Sequence, residues 1–156
     1  MLHVQVKVLD DRYLDGTFPL PAYNTPGSAG YDVRAAIQEP RVLLPGECVL
    51  IPTGLALYQP DPNYVGDLLP RSGLGHKHGI ILGNGTGTID SDYQGELKIS
   101  CWNRSDVPFT INPGDRIAQM IYKRIEQAEF RVLGPDEDWV GYSERGEDGF
   151  NSSGVK

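Results

Sequence analysis

The sequence has few thiols, no long apolar run and little positive charge for its acid content. Its cysteines, Cys48 and Cys101, stand far apart without a Cys-x-x-Cys pair, which argues against a disulfide framework and a zinc site. Two reduced, partly buried thiols are expected instead. The N-terminus, Met1-Leu2-His3-Val4-Gln5-Val6-Lys7, carries no apolar run of signal-peptide length, and no later stretch is long enough to span a bilayer. A cytoplasmic protein with no membrane partner is expected. Lys and Arg total 14 against 21 Asp and Glu, a formal net charge of -7. Nucleic acid is therefore not an expected partner, because proteins that track a phosphate backbone carry clustered Lys and Arg. A small phosphate ester remains within reach if a few basic groups, backbone N–H groups and a bound cation converge on it.

Sustained helical periodicity is also missing, apart from one or two turns over residues 72–78. What is abundant is punctuation: 19 Gly and 12 Pro make up about a fifth of the 156 residues. That favours many short strands over long helices, in a chain of the usual size for one domain. Alternation in Val4-Gln5-Val6-Lys7-Val8 reads as a strand with one buried face. Further candidates are residues 31–35, 42–44, 47–51, 55–58, 64–69, 80–82, 97–102, 109–111 and 116–121. Leu44-Pro45-Gly46-Glu47 and Ile111-Asn112-Pro113-Gly114-Asp115 place Pro-Gly between apolar runs, as a type II turn requires, and both read as hairpin tips. The expected class is all-β, a jelly-roll-like barrel or sandwich with at most one short helix.

Several segments could carry chemistry, each with a plainer reading beside it. Pro70-Arg71-Ser72-Gly73-Leu74-Gly75 could aim backbone N–H groups and Arg71 at an anion, or Ser72 could simply cap a helix. Gly83-Asn84-Gly85-Thr86-Gly87 lacks both a dinucleotide fingerprint and a Walker lysine, but it permits a flat ligand to approach the backbone, or forms a bulge. His76 and His78 have no third ligand nearby and read as surface polarity. Asp90 and Asp92 would share one side if extended, or form an Asp-rich turn. The final residues, with an Arg, a Phe and two Ser among glycines, read as a tail or as a clamp for a phosphorylated aromatic ligand.

Five segments in order resemble the motifs of the homotrimeric dUTPase family. They are Ala29-Gly30-Tyr31-Asp32-Val33, Pro70-Arg71-Ser72-Gly73-Leu74, Gly87-Thr88-Ile89-Asp90-Ser91-Asp92-Tyr93-Gln94-Gly95-Glu96, Gly114-Asp115-Arg116-Ile117-Ala118-Gln119-Met120, and Arg145-Gly146 with Gly149-Phe150. The third is the most specific. The resemblance implies a homotrimer whose active sites each draw on all three subunits, a β-barrel domain over 1–140 and a flexible lid over 141–156. It implies Mg²⁺-dependent hydrolysis of dUTP to dUMP and pyrophosphate by water attack on the α-phosphorus, which keeps uracil out of DNA and supplies dUMP for thymidylate synthesis. The dCTP deaminases, similar in fold, lack the Asp-x-Asp-Tyr arrangement present here.

Roles follow by the same resemblance. Asp90 is the expected general base. Tyr93 would stack beneath the deoxyribose and exclude a 2′-hydroxyl. Asn84, the hairpin backbone and Lys98 would read the uracil edge. Arg71, Ser72, Gly73 and Gln119 would hold the phosphates, and Asp32 would anchor the metal through water. Arg145, Phe150, Ser152 and Ser153 would close over the nucleotide. The chain departs from the family at Asp148 and Asn151, where small residues are usual, and at Gly85 and Thr86, where bulkier ones are common.

Overall fold

Strand β8 (Glu96–Asn103) shows how the residue pattern builds the core: Leu97, Ile99, Cys101 and Asn103 are buried, and the residues between them are not. In the computed structural model, which describes residues 1–141 and 143–147, the chain divides into two compact units, Met1–Glu126 and Gln127–Lys156. The sequence reading draws its line at residue 140 instead. All the strands among the described residues lie in the first unit, and the described residues of the second are turns, bends and irregular chain.

The first unit runs β1 (Gln5–Val8), a 3-10 turn at Asp11–Tyr13, β2 (Tyr31–Arg34), β3 (Arg41–Leu43), β4 (Cys48–Tyr58) and β5 (Tyr64–Pro70). It continues with α1 (Ser72–His78), β6 (Ile80–Leu82), β7 (Gly87–Ile89), β8, β9 (Phe109–Ile111) and β10 (Arg116–Arg124). Two four-stranded sheets, ordered β1-β4-β8-β6 and β2-β10-β5-β7, are joined by a two-stranded sheet of β3 and β9. One apolar cluster takes side chains from all three, including Leu43, Ile51, Leu68, Ile99, Ile111 and Met120. Cutting one of the fully buried members, such as Ile99, to Ala costs on the order of 2–5 kcal/mol. The all-β class with one short α-helix is as expected.

Three local expectations change. The candidates at 47–51 and 55–58 are one strand, β4, which passes through Pro52-Thr53-Gly54 by a register shift against β8. Proline cannot donate to the ladder, so the bulge is bonded otherwise: the buried Thr53 hydroxyl donates to the Leu97 carbonyl at 2.8 Å. Gly46 and Gly114 do take positive φ, +78° and +82°, as type II turns require. Their flanking strands do not pair with each other, however, so both turns are corners that carry the chain between sheets, not hairpin tips. Buried Asn103 ties one corner down, donating to the carbonyls of Leu43 at 3.0 Å and Val107 at 2.8 Å. The third change is β7, an added strand that pairs with β5.

Candidate active site

Strands β7 and β8 follow each other in sequence but belong to different sheets, so the chain between them crosses an open gap. The expected base-binding hairpin is therefore two diverging strands. Where they part there is a cleft of about 310 Å³ lined by Thr88, Ile89, Asp90, Tyr93, Glu96, Leu97 and Lys98. Asp90 to Tyr93 form a turn, closed by the Tyr93 N–H donating to the Asp90 carbonyl at 3.2 Å. The Asp-rich turn, not the extended pair, is thus what the backbone makes. Asp90 lines the cleft and Asp92 does not. Tyr93 is 43% exposed, with its hydroxyl bonded to the Glu96 carbonyl at 3.0 Å. Asn84 sits in the exposed turn between β6 and β7 and does not line the cleft.

A second group gathers at the other end of β5. Asp32 on β2 and Gln119 on β10 are direct cross-strand partners and share a face. Both oxygens of Asp32 are engaged, Oδ1 by Arg71 Nε at 2.8 Å and Oδ2 by Arg116 Nη1 at 3.1 Å. Arg71 also donates through Nη1 to the Arg116 carbonyl at 2.9 Å, which leaves Nη2 as a donor. Gln119 Nε2 donates to the Pro70 carbonyl at 3.0 Å. Arg71 occupies the cap position of α1 without a side-chain cap bond, and Ser72 is the first helical residue, so the capping reading of Ser72 fails. The N–H groups of Ser72 and Gly73 face no earlier turn of helix and have no intrahelical acceptor. Tyr31, next to Asp32, is buried, and burial pushes its phenol far above the ordinary range, so it stays neutral.

Arg116 is the charged member of this group that the sequence reading leaves without a role. It stands three residues before Gln119, a spacing that puts two residues on opposite faces of a regular strand. A register shift between Arg116 and Ala118 breaks the alternation and lets Arg116 reach Asp32, the cross-strand partner of Gln119. Only the bulge reveals it, although the residue lies inside a quoted motif.

The donor set bears on metal binding. Among the described residues no three His, Cys, Asp or Glu cluster together, and the one acid of this group already faces two guanidinium groups. That does not make a protein cage. It does fit Mg²⁺, which dehydrates reluctantly and is commonly held by one or two carboxylates, waters and substrate phosphates.

The two groups are separated along β5. Ile89 is level with Gly66 and Gln119 with Leu69, so they stand three residue steps apart along the strand, about 10 Å, with Asp90 beyond Ile89. Of the lid residues, Arg145 lies in a turn of the second unit, where the Gly146 N–H donates to the Ser143 carbonyl at 3.1 Å. Phe150, Ser152 and Ser153 lie outside the described residues, as do Asp148 and Asn151. His76 and His78 are exposed on α1, and the His78 ring lies 5.3 Å from that of Phe109.

Comparison with known proteins agrees on one family. The dUTPase family model matches residues 17–154. A deoxyuridine 5'-triphosphate nucleotidohydrolase of Neisseria meningitidis is 58% identical over 154 residues, covering 99% of this chain and 98% of the relative. One from Legionella pneumophila is 58% identical over 151 residues, covering 97% and 96%. Among solved structures, a mutant dUTPase of Staphylococcus bacteriophage 80alpha with dUpNHpp is similar at TM-score 0.84 and 32% identity, covering 98% of this chain and 99% of that one. A mutant dUTPase from phage phi11 of S. aureus, described with a coordinated structural Mg(II) ion, is similar at TM-score 0.73 and 28% identity, covering 87% and 99%.

Proposed function

Because the chain belongs to the dUTPase family, and so hydrolyses dUTP to dUMP and pyrophosphate, we propose how its own residues divide that reaction. The observation that carries the reading is the cleft, which puts the acid Asp90, the ring of Tyr93 and the amine of Lys98 around a space open to a nucleotide. Asp90 accepts a proton from the attacking water and aims it at the α-phosphorus. Tyr93 presents its ring to the sugar, leaving no room for a 2′-hydroxyl. Lys98 and the backbone of the two diverging strands bind the uracil edge, with Asn84 at its margin. Cytosine presents the opposite donor and acceptor pattern and would leave buried groups unpaired at about 1–3 kcal/mol each.

Arg71, the N–H groups of Ser72 and Gly73, and Gln119 hold the phosphates. Asp32 keeps the Arg71 fork in place by its ion pair and would be the residue that holds Mg²⁺, which would supply positive charge against the phosphates. Residues 141–156 act as the lid, with Arg145, Ser152 and Ser153 toward the γ-phosphate and Phe150 on the base. Two cysteines outside any disulfide suit a reducing, cytoplasmic setting.

The working unit in this reading is a homotrimer whose sites combine the cleft of one copy with the Asp32 group of another. The separation of the two groups along β5 supports it. Subunit mixing tests it: Asp90→Asn and Arg71→Ala chains are each inactive alone, and co-expression restores pyrophosphate release at about a quarter of the sites if the halves come from different copies. No recovery in a mixed oligomer would confine the site to one chain.

A further inference from the structure

Tyr93 stands in the cleft through contacts with its own stretch of chain. Its ring folds back along the chain until the hydroxyl reaches the carbonyl of Glu96, three residues on. Gly95 lies directly under that path. A Cβ at position 95 would come within 2.5 Å of the Tyr93 hydroxyl oxygen, 2.7 Å of Cζ and 3.1 Å of Cε2. Real side chains do not approach so closely, so the observed ring position exists only because residue 95 has no side chain.

The acceptor is itself braced from behind. Glu96 Oε1 accepts the N–H of Gly54 at 3.0 Å, inside the β4 bulge. The neighbouring Leu97 carbonyl accepts from the buried Thr53 hydroxyl, and the Thr53 carbonyl accepts from the Tyr13 hydroxyl at 3.0 Å. A chain of bonds therefore runs from the packed bulge through Glu96 to the tip of an otherwise half-exposed ring.

We propose that Gly95 is a positioning residue for Tyr93, and that it sets the preference for a deoxyribose over a ribose triphosphate without touching the nucleotide. The proposal rests on the reading of Tyr93 as the sugar platform. Sugar discrimination by shape needs the ring at a fixed height, since a shift of a few tenths of an ångström admits or rejects one oxygen atom. Glu96 supports the same ring through its carbonyl, held in place by the bond of its carboxylate to Gly54.

The test is steady-state hydrolysis of dUTP and UTP by the full-length protein, read as the ratio of the two kcat/KM values. Tyr93→Ala is expected to collapse the ratio, and Gly95→Ala to lower it about tenfold with an unchanged melting temperature. Glu96→Ala is expected to lower it about threefold, with Glu96→Gln, which keeps an acceptor for Gly54, restoring it. If Tyr93→Ala loses discrimination while Gly95→Ala keeps it, the positioning role is overturned and the platform reading stands. If Tyr93→Ala keeps discrimination, the platform reading itself fails. Should Gly95→Ala not fold, Tyr93→Phe and Glu96→Ala decide: an unchanged ratio in both overturns the proposal, and a lowered ratio rescued by Glu96→Gln supports it.

Discussion

The cleft between β7 and β8 and the Asp32 group at the far end of β5 are built on opposite plans. In the cleft the polar side chains stand in the open, and position comes from backbone: a turn at Asp90, a missing side chain at Gly95, a carbonyl under the Tyr93 hydroxyl. In the Asp32 group position comes from charge, with one carboxylate between two guanidinium groups and a glutamine bonded to the main chain. The difference matches the tasks assigned to them. A base and a sugar are selected by shape, whereas phosphates are held by donors that must already point the right way before the ligand arrives.

That contrast can be broken or sharpened experimentally. Asp90→Asn should lower kcat by about a thousandfold or more while dUpNHpp binding, followed by calorimetry, stays within a few fold. A mutant that turns over normally would remove Asp90 from the chemistry. Deleting the residues from Arg145 onward should lower kcat/KM by about a hundredfold with the melting temperature unchanged, since neither group alone would then exclude water. Unchanged kinetics would make the two groups sufficient by themselves. Asp32→Ala should raise the Mg²⁺ concentration for half-maximal rate by about tenfold, as loss of an outer-shell partner does. Its effect on stability should be only about 1 kcal/mol, because its partners are partly exposed. A Mg²⁺ requirement that does not move would leave Asp32 with its ion pairs alone.

The smallest expected effect lies in β8, behind the cleft. Burial pushes the Cys101 thiol up to about 12, so it is neutral and shielded at pH 8, whereas Cys48 is exposed. Iodoacetamide at pH 8 should modify one thiol in the folded protein and two in urea, read by mass spectrometry. Modification of both without denaturant would mean that β8 opens, and with it one wall of the cleft.

Much of this was legible in the order of residues. Alternation located most strands, and short motifs singled out Asp32, Arg71 and Gln119, which the fold gathers into one group, and Asp90 and Tyr93, which it places in the cleft. Pairing was not legible: the two Pro-Gly turns were right in local geometry and wrong as hairpins, because a turn dictates four residues and not which sheet each flank joins. Arg116 escaped notice because a bulge overturns the period on which face assignments rest. The strand β7 escaped because Gly87-Thr88-Ile89 has one apolar side chain behind a glycine-rich turn, whereas the equally short Ile80-Ile81-Leu82 is apolar throughout.

By itself, then, the residue order determined the all-β class, the turns at Gly46 and Gly114, and the motifs from which the proposed site is drawn. These depend on local conformation and on residue chemistry, both carried by short stretches of chain. Only tertiary structure decided that β7 and β8 part to open a cleft and that Asp32 is shared by two arginines. Each of these is a contact between elements whose spacing is set by packing, and no stretch of sequence contains both sides of it.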